Sequence, residues 1–232
     1  VMNALQGQVN GVQITNSGSP GGTPRVIIRG VSTINGSDPL YVVDGMPVGN
    51  NINFLNQNDI ESMQVLKDAS AAAIYGTRGS NGVILITTKK GKIGKPKFNV
   101  DLSNGFQMMN NPYNMADAES YANVINKAYT NSGYSEYLPN AAQYKGKTTD
   151  WWGTGIRKAS PVSNASIGVS GGAEKNTYAA SLNYYKSDSF YGVGGWERIT
   201  ARIFNDFKFS DKVSFGITIN PRFETWGSPG NW

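Results

Sequence analysis

Lys67–Gly91, KDASAAAIYGTRGSNGVILITTKKG, sets small residues and glycines beside an apolar, β-branched run, the raw material of a phosphate-binding loop. Such a loop must follow a strand and open a helix, so that free N–H groups at the helix N-terminus face the anion. Here the order is reversed. Ala69–Tyr75 consists largely of good helix formers and runs into Gly76, and Gly79–Gly82 lead into the strand candidate Val83–Lys89. A helix C-terminus carries partial negative charge, and Gly76 reads as its stop. The carboxylates are no better placed for chemistry. Asp59 and Glu61 are two apart and Asp38 and Asp44 flank one strand, neither in an acid–base or metal pattern. The chain has no His and no Cys, which removes the imidazole base, the thiolate nucleophile and the usual zinc ligands. No enzyme activity, cofactor or metal is expected.

What remains is recognition chemistry. The loop NSGSPGGTP (Asn16–Pro24) and the segment Pro47–Phe54 offer amides and hydroxyls at Asn16, Ser17, Ser19, Asn50 and Asn51, paired donors and acceptors for a neutral polar ligand. Phe54 could stack on a sugar face. The same residue types are ordinary turn formers, so composition alone leaves both readings open. Trp151-Trp152 is either a sugar platform or an anchor for a long loop or membrane interface. Charged residues make up only 16% of the chain, below the ~25% usual for soluble domains, and the net charge is +5. The basic cluster Lys89, Lys90, Lys92, Lys95 and Lys97 sits at the end of an apolar strand, a solvated junction in preference to a nucleic-acid face.

The elements that position these groups fall into two regions. Residues 1–92 read as an α/β unit. It has a short helix at Met2–Gln8, strands at Val12–Thr15, Arg25–Gly30, Leu40–Asp44 and Val83–Lys89, and the helix Ala69–Tyr75. Asn58 or Asp59 caps a turn leading into Ser62–Lys67. The chain opens already in a helix-like segment, so the true N-terminus is expected upstream.

From Lys95 onward the pattern has period two. Strands are expected at Lys97–Gln107, Ser163–Gly171, Thr177–Ser187, Arg198–Phe209 and Lys212–Glu224. In the fourth, Ile199, Ala201 and Ile203 oppose Arg198, Thr200 and Arg202; in the fifth, Phe215, Ile217 and Ile219 oppose Ser214, Thr218 and Asn220. Tight connections near Ala173–Asn176 and Ser210–Asp211 alternate with long ones, the first carrying a helix at Asp117–Tyr129. Short turns at one end and long loops at the other are the pattern of an outer-membrane barrel, with aromatics such as Phe98 and Phe223 as interfacial girdles. No run of ~18 apolar residues exists, which excludes a helical span and says nothing of strands. A soluble sheet with one buried face alternates identically, so a soluble β-rich glycan-binding module is the alternative. Five strands cannot close a barrel, and the chain is therefore expected to be a fragment.

Motifs in the first region resemble, in order and spacing, the plug domain of TonB-dependent outer-membrane transporters: GVQIT (Gly11–Thr15), RVIIRG (Arg25–Gly30), DPLYVVDGMPV (Asp38–Val48) and NDIESMQVLKDASAAAIYGTRGSNGVILITTKKGK (Asn58–Lys92). DPLYVVDG and the last motif are similar to the SusC/RagA branch from Bacteroidetes, and TDWW (Thr149–Trp152) with SIGVSGGAEKNTYAASLNYY (Ser166–Tyr185) to the start of its barrel. The resemblance implies an α+β plug over residues 1–92, then the first strands of an antiparallel transmembrane β-barrel of about 22 strands over residues 93–232. It implies residence in the outer membrane and TonB-dependent import of an oligosaccharide or peptide. A SusD-like surface lipoprotein and TonB, reached through an upstream box, would be partners, in a possible dimer of transporter–lipoprotein pairs. The loops with Asn16, Ser17, Ser19, Asn50, Asn51 and Phe54 match outward-facing plug loops. Arg29 and Arg78 match plug arginines that pair with barrel carboxylates.

Overall fold

The computed structural model of the chain describes residues 7, 9–31, 36–49, 52–111 and 113–227. The helix expected over Met2–Gln8 falls outside them, Gly7 excepted. Val12–Thr15 (β1) and Arg25–Ile28 (β2) pair as an antiparallel ribbon. Leu40–Val43 (β3) turns through Asp44-Gly45 into Met46–Val48 (β4). Both turn residues have positive φ, 48° and 86°, the mirror-image hairpin turn whose twist matches the flanking strands and which Asp-Gly favours. The return strand β4 was not expected from the sequence. A 3₁₀ turn at Gln57–Asp59 is capped by Asn56, not by Asn58 or Asp59, and leads into Ile60–Leu66 (β5). After the helix Ala69–Ala72 (α1), Val83–Thr88 (β6) runs parallel to β3 and antiparallel to β5, giving the order β4-β3-β6-β5.

Alternate residues of β3 serve two cores, which is why LYVV reads as one apolar run. Tyr41 and Val43 join Ile84 and Ile86 beneath Ile14, Val26 and Ile28 of the ribbon, and Ile52 and Leu55 complete the cluster. Leu40, Val42 and Val83 pack with Ala72 of α1 on the other face. The expected helix Ala69–Tyr75 is α-helical only to Ala72; 3₁₀ turns follow over Ala73–Gly79, broken at Gly76 (φ 60°, ψ −147°). That backbone region belongs almost entirely to glycine. Helix, glycine turn and strand thus follow in the order that offers an anion no helix N-terminus.

Burial pushes the Tyr41 hydroxyl up to about 12, with the charge of Asp38 adding to it. The unfolded chain ionises near 10.0, so the folded unit holds this proton more tightly. Its contribution to stability is intact below that value and is lost as pH rises toward about 12. Subtracting the phenolate absorbance titration of Tyr41→Phe from that of the parent should leave one transition near 12. A difference transition at the ordinary tyrosine position would overturn this placement.

Beyond β6 the chain forms Gly94–Met108 (β7), Ala159–Ala173 (β8), Asn176–Asp188 (β9), Gly195–Ser210 (β10), Val213–Ile219 (β11) and Arg222–Gly227 (β12). β7 to β11 neighbour one another in chain order, and β12 pairs with β10. The register Ile203↔Ile219 continues unbroken to Thr200↔Arg222. The expected strand Lys212–Glu224 is therefore one line, interrupted where Pro221 lacks an N–H.

The polarity of this wall is inverted relative to a soluble sheet. On β10, Ile199 and Ile203 are 45% and 50% exposed, while Arg198 and Arg202 are 8% and 4% exposed. Ile167 and Leu182 are likewise exposed, and Ser166 and Asn183 are buried. Presenting apolar side chains to water while burying guanidinium groups is unfavourable on both counts. With hydrocarbon outside, the same arrangement is favourable: an apolar outer surface around a polar lumen.

The chain divides into two compact units. Val1–Phe106, Pro161–Ser189 and Val193–Trp232 form the first, which holds the α/β unit and most of the wall; Gln107–Ser160 and Phe190–Gly192 form the second. In the second unit, Asp117 Oδ1 accepts from the Ser120 N–H at 2.7 Å and caps Ala118–Asn131 (α2), close to the expected helix. The Asn126 amide holds both backbone groups of Leu138 (2.7 and 2.8 Å), and Tyr129 stacks on Tyr137 with ring centroids 5.0 Å apart. Trp151 and Trp152 open the short helix Trp151–Gly155 (α3), with Trp151 exposed.

Candidate functional site

The two loops singled out as a ligand floor do meet. Asn53 Nδ2 donates to Gly21 O at 3.1 Å, joining the segment after β4 to the β1–β2 loop. Asn16, Ser17 and Ser19 are exposed on that loop, whose turn is closed by Gly22 N–H donating to Ser19 O at 3.0 Å. Phe54 is half-buried and packs against the core cluster that holds Ile52 and Leu55. Asn50 and Asn51 lie outside the described residues.

Both loops are held by β10. The Trp196 ring lies so close over Gly21 that a Cβ there would stand 2.5 Å from it, and the Arg198 guanidinium donates to Asn53 O. Neither residue was foreseen as a loop contact. Arg198 was legible as an inward polar position, but the inward Trp196 breaks the alternation.

Arg29 and Arg78 occupy the surface of the α/β unit. Arg29, at φ 58°, pairs with Asp68 of the same unit at 2.5 Å. Both side chains are more than half exposed (58% and 64%), so the pair contributes little. Arg78 is exposed on the turn Ala73–Gly79.

A buried arginine contact between unit and wall comes from the opposite side. Arg202 of β10 donates to Lys89 O at 2.9 Å and to the Thr88 hydroxyl, and its Nη2 lies 3.9 Å from Asp44 Oδ2. Asp44 accepts from Thr88 N–H at 2.9 Å and from Thr88 Oγ1 at 2.5 Å. The turn residue of VVDG thus ties the end of β6 and helps neutralise a wall arginine. Nearby, Asn58 Nδ2 donates to Ser166 Oγ of β8 at 2.6 Å, and Lys90 Nζ lies 5.6 Å from the Phe204 ring.

This seam is polar and incompletely bonded. Asn56 Nδ2, Asn183 Oδ1, Arg198 Nε, Thr200 Oγ1 and Arg202 Nε are buried without a hydrogen-bond partner among the described residues. A cavity of about 60 Å³ opens among Asn58, Asp59, Asn99, Ser166 and Arg202, with Ile167 and Val169 also on its wall, offering polar partners and room for ordered water. Water can replace such contacts at small net cost, because an exchanged hydrogen bond is worth only ~1 kcal/mol. An apolar interface of equal area would resist separation far more.

Residues 1–83 match the family described as TonB-dependent Receptor Plug Domain. The chain is 36% identical over 225 residues to the TonB-dependent receptor SusC of Bacteroides thetaiotaomicron, covering 92% of this chain and 22% of that protein. It is 38% identical over 226 residues to the TonB-dependent receptor P26 of Formosa agariphila, covering 94% of this chain and again 22% of the relative. Among solved structures, the RagAB peptide importer in its closed-closed state superposes with a TM-score of 0.81 at 28% identity, over 99% of this chain and 29% of that one. The ferric enterobactin receptor PfeA of Pseudomonas aeruginosa, at 17% identity and a TM-score of 0.59, shares the fold alone.

Proposed function

We propose that this chain, which belongs to the SusC/RagA-type TonB-dependent receptors, closes and gates a barrel that imports a bulky nutrient, an oligosaccharide or peptide, across the outer membrane. In this reading residues 1–92 are the plug and residues 93–232 the first part of the barrel wall. Asn16, Ser17 and Ser19, with Asn50, Asn51 and Phe54, form the plug side of the ligand floor. Arg29 and Arg78 meet carboxylates of further wall strands. A SusD-like surface lipoprotein delivers the nutrient from outside. TonB, engaged through a box N-terminal to the plug and driven by the proton gradient, displaces the plug from below. Two transporter–lipoprotein pairs assemble as a dimer.

The observation that carries the reading is the polar seam between plug and wall inside an apolar outer surface. Ligand contacts at Asn16–Pro24 are one hydrogen bond from Asn53, and Asn53 is held by Arg198 of the wall. A pull that exchanges these polar contacts for water opens a path without exposing the plug core. The full-length receptor should fractionate with the outer membrane, require detergent for extraction, and support nutrient uptake that disappears in cells lacking TonB. Extraction by aqueous buffer alone, or uptake indifferent to TonB, would remove this reading in favour of a soluble glycan-binding module.

A further inference from the structure

The plug meets the wall in two different ways. Along most of the seam the contacts run through side chains: Trp196 over Gly21, Arg198 on Asn53 O and Asn58 on Ser166. Where the chain leaves β6 for β7, the contact is backbone on backbone. Gly91 lies on the paired residues Gly171 and Tyr178 of β8 and β9. A Cβ at Gly91 would stand 2.5 Å from Tyr178 N and 2.6 Å from Gly171 O, and would also strike Tyr178 O. Its φ is not in the left-handed region, so glycine is required here by the close approach alone. The strand beneath is covered from its other face. A Cβ at Gly171 would stand 2.9 Å from the Tyr178 hydroxyl and 3.2 Å from Pro96 Cα.

β10 adds two side chains to this seat. Phe204 shares the inward face with Arg198, Thr200, Arg202 and Asp206, and is 8% exposed. Lys90 Nζ lies 5.6 Å from the centroid of its ring and Arg202 Cζ 5.7 Å, both within reach of its negative face. Arg202 in turn donates to Lys89 O at 2.9 Å. Three successive residues, Lys89, Lys90 and Gly91, are thus held by β8, β9 and β10. Lys89 N–H donates to Asp59 O at 2.7 Å and joins them to the plug sheet. The two kinds of contact part differently. A side-chain hydrogen bond exchanges with water at small net cost, whereas backbones in direct contact admit no water and lose their dispersion attraction together.

We infer that Lys89–Gly91 is the pivot of the plug: when the plug is drawn from the wall, these residues stay seated and the elements before them move. The inference deepens the import reading and rests on it. Ser166, which holds Asn58, lies five residues along β8 from Gly171, about 17 Å of extended strand. A plug hinged at Gly171 therefore still parts from the wall at Ser166. Held at its C-terminal end, it opens a path without leaving the barrel and returns to the same register.

Spin labels in the full-length receptor in detergent test the pivot without transport. A nitroxide pair at Lys89 and Lys175 spans the seat, and a pair at Glu61 and Lys175 spans the moving edge; all three positions are exposed. As urea rises, the Glu61–Lys175 distances should broaden first, and the Lys89–Lys175 distances should stay narrow until the wall itself unfolds. In Gly91→Ala the two pairs should broaden together, and in Phe204→Leu the gap between them should narrow. Simultaneous broadening in the parent, or a Gly91→Ala receptor that behaves as the parent, overturns the pivot. If Gly91→Ala does not fold, a Phe204→Leu profile identical to the parent does the same. In cells, cysteines at Lys90 and Phe204 joined by a short bis-methanethiosulfonate reagent should leave uptake at the unbridged rate. A block there would show that the linker has to lift, and would also overturn the pivot. Uptake indifferent to TonB in the parent would discard the importer while the spin-label result stood, so the two failures are told apart.

Discussion

Asp44→Ala is expected to destabilise the plug by about 2 kcal/mol, less than the cost of breaking a fully buried ion pair because the carboxylate is partly solvated and Asp59 stays near the guanidinium. The Arg202 side chain is 5% exposed and that of Asp44 21%, on a turn residue that is itself exposed, so the cation is the poorly solvated partner. Without the carboxylate, the guanidinium keeps the Thr88 hydroxyl and the Lys89 carbonyl as hydrogen-bond partners and Asp59 as its one remaining counter-charge among the described residues, in a seam where under-compensated charge is costly. The substitution also places Ala at φ 48°, where Asp and Asn are tolerated and Ala is strained. Asp44→Asn separates the two effects, because it keeps the turn and one acceptor for Thr88 and loses only the charge; its cost should be smaller. Adding Arg202→Met to Asp44→Ala removes the under-compensated cation and should recover part of the loss. The readout is the urea midpoint for plug unfolding in the solubilised full-length receptor, followed by protease cleavage of the plug. An unchanged midpoint in Asp44→Ala, or strictly additive losses in the double variant, would show that no such latch exists.

That latch was only half visible in the sequence. The wall strands were legible because period-two alternation survives wherever one face meets lipid and the other a polar lumen, and Arg198 and Arg202 fell on the inward side. β3 and β6 were legible as short apolar runs bounded by Asp-Gly and by glycines, and α2 as a helix starting at Asp117. The partner of Arg202 was not, since Asp44 lies in a turn far away in sequence and only the packed register of β3, β6 and β10 brings them together. β4 escaped because three residues at a sheet edge, Met46 and Pro47 exposed and only Val48 half-buried, show no strand pattern. α1 came out shorter than its composition implied because Gly76 adopts a conformation that propensity does not encode. Among the residues proposed for the ligand floor, Phe54 illustrates the same limit: an aromatic in a polar loop reads as a platform, and here part of its surface packs on the plug core. Trp196 shows the converse, an inward aromatic on a strand whose neighbours obey the alternation.

A covalent bridge across the seam should have the largest functional effect. The chain has no cysteine, so cysteines introduced at Asn58 and Ser166 would stand without competitors among these residues. The two side chains already touch, Asn58 Nδ2 donating to Ser166 Oγ at 2.6 Å between the plug's 3₁₀ turn and β8. Each single substitution loses one hydrogen bond, ~1 kcal/mol at most in net terms, and should leave uptake near normal. Joining both cysteines with a short bis-methanethiosulfonate reagent replaces an exchangeable contact by one that water cannot displace. Uptake should then fall to the level of cells lacking TonB and return on adding a reductant, while ligand binding at the outer face persists. Binding without uptake would place the block after capture and before passage, which is where a gate must act. If bridged receptors import at the unbridged rate, the plug does not part from β8 during transport. The path would then have to open through rearrangement within the plug, against the tight packing of β3 and β6, and the polar seam would lose its role in gating.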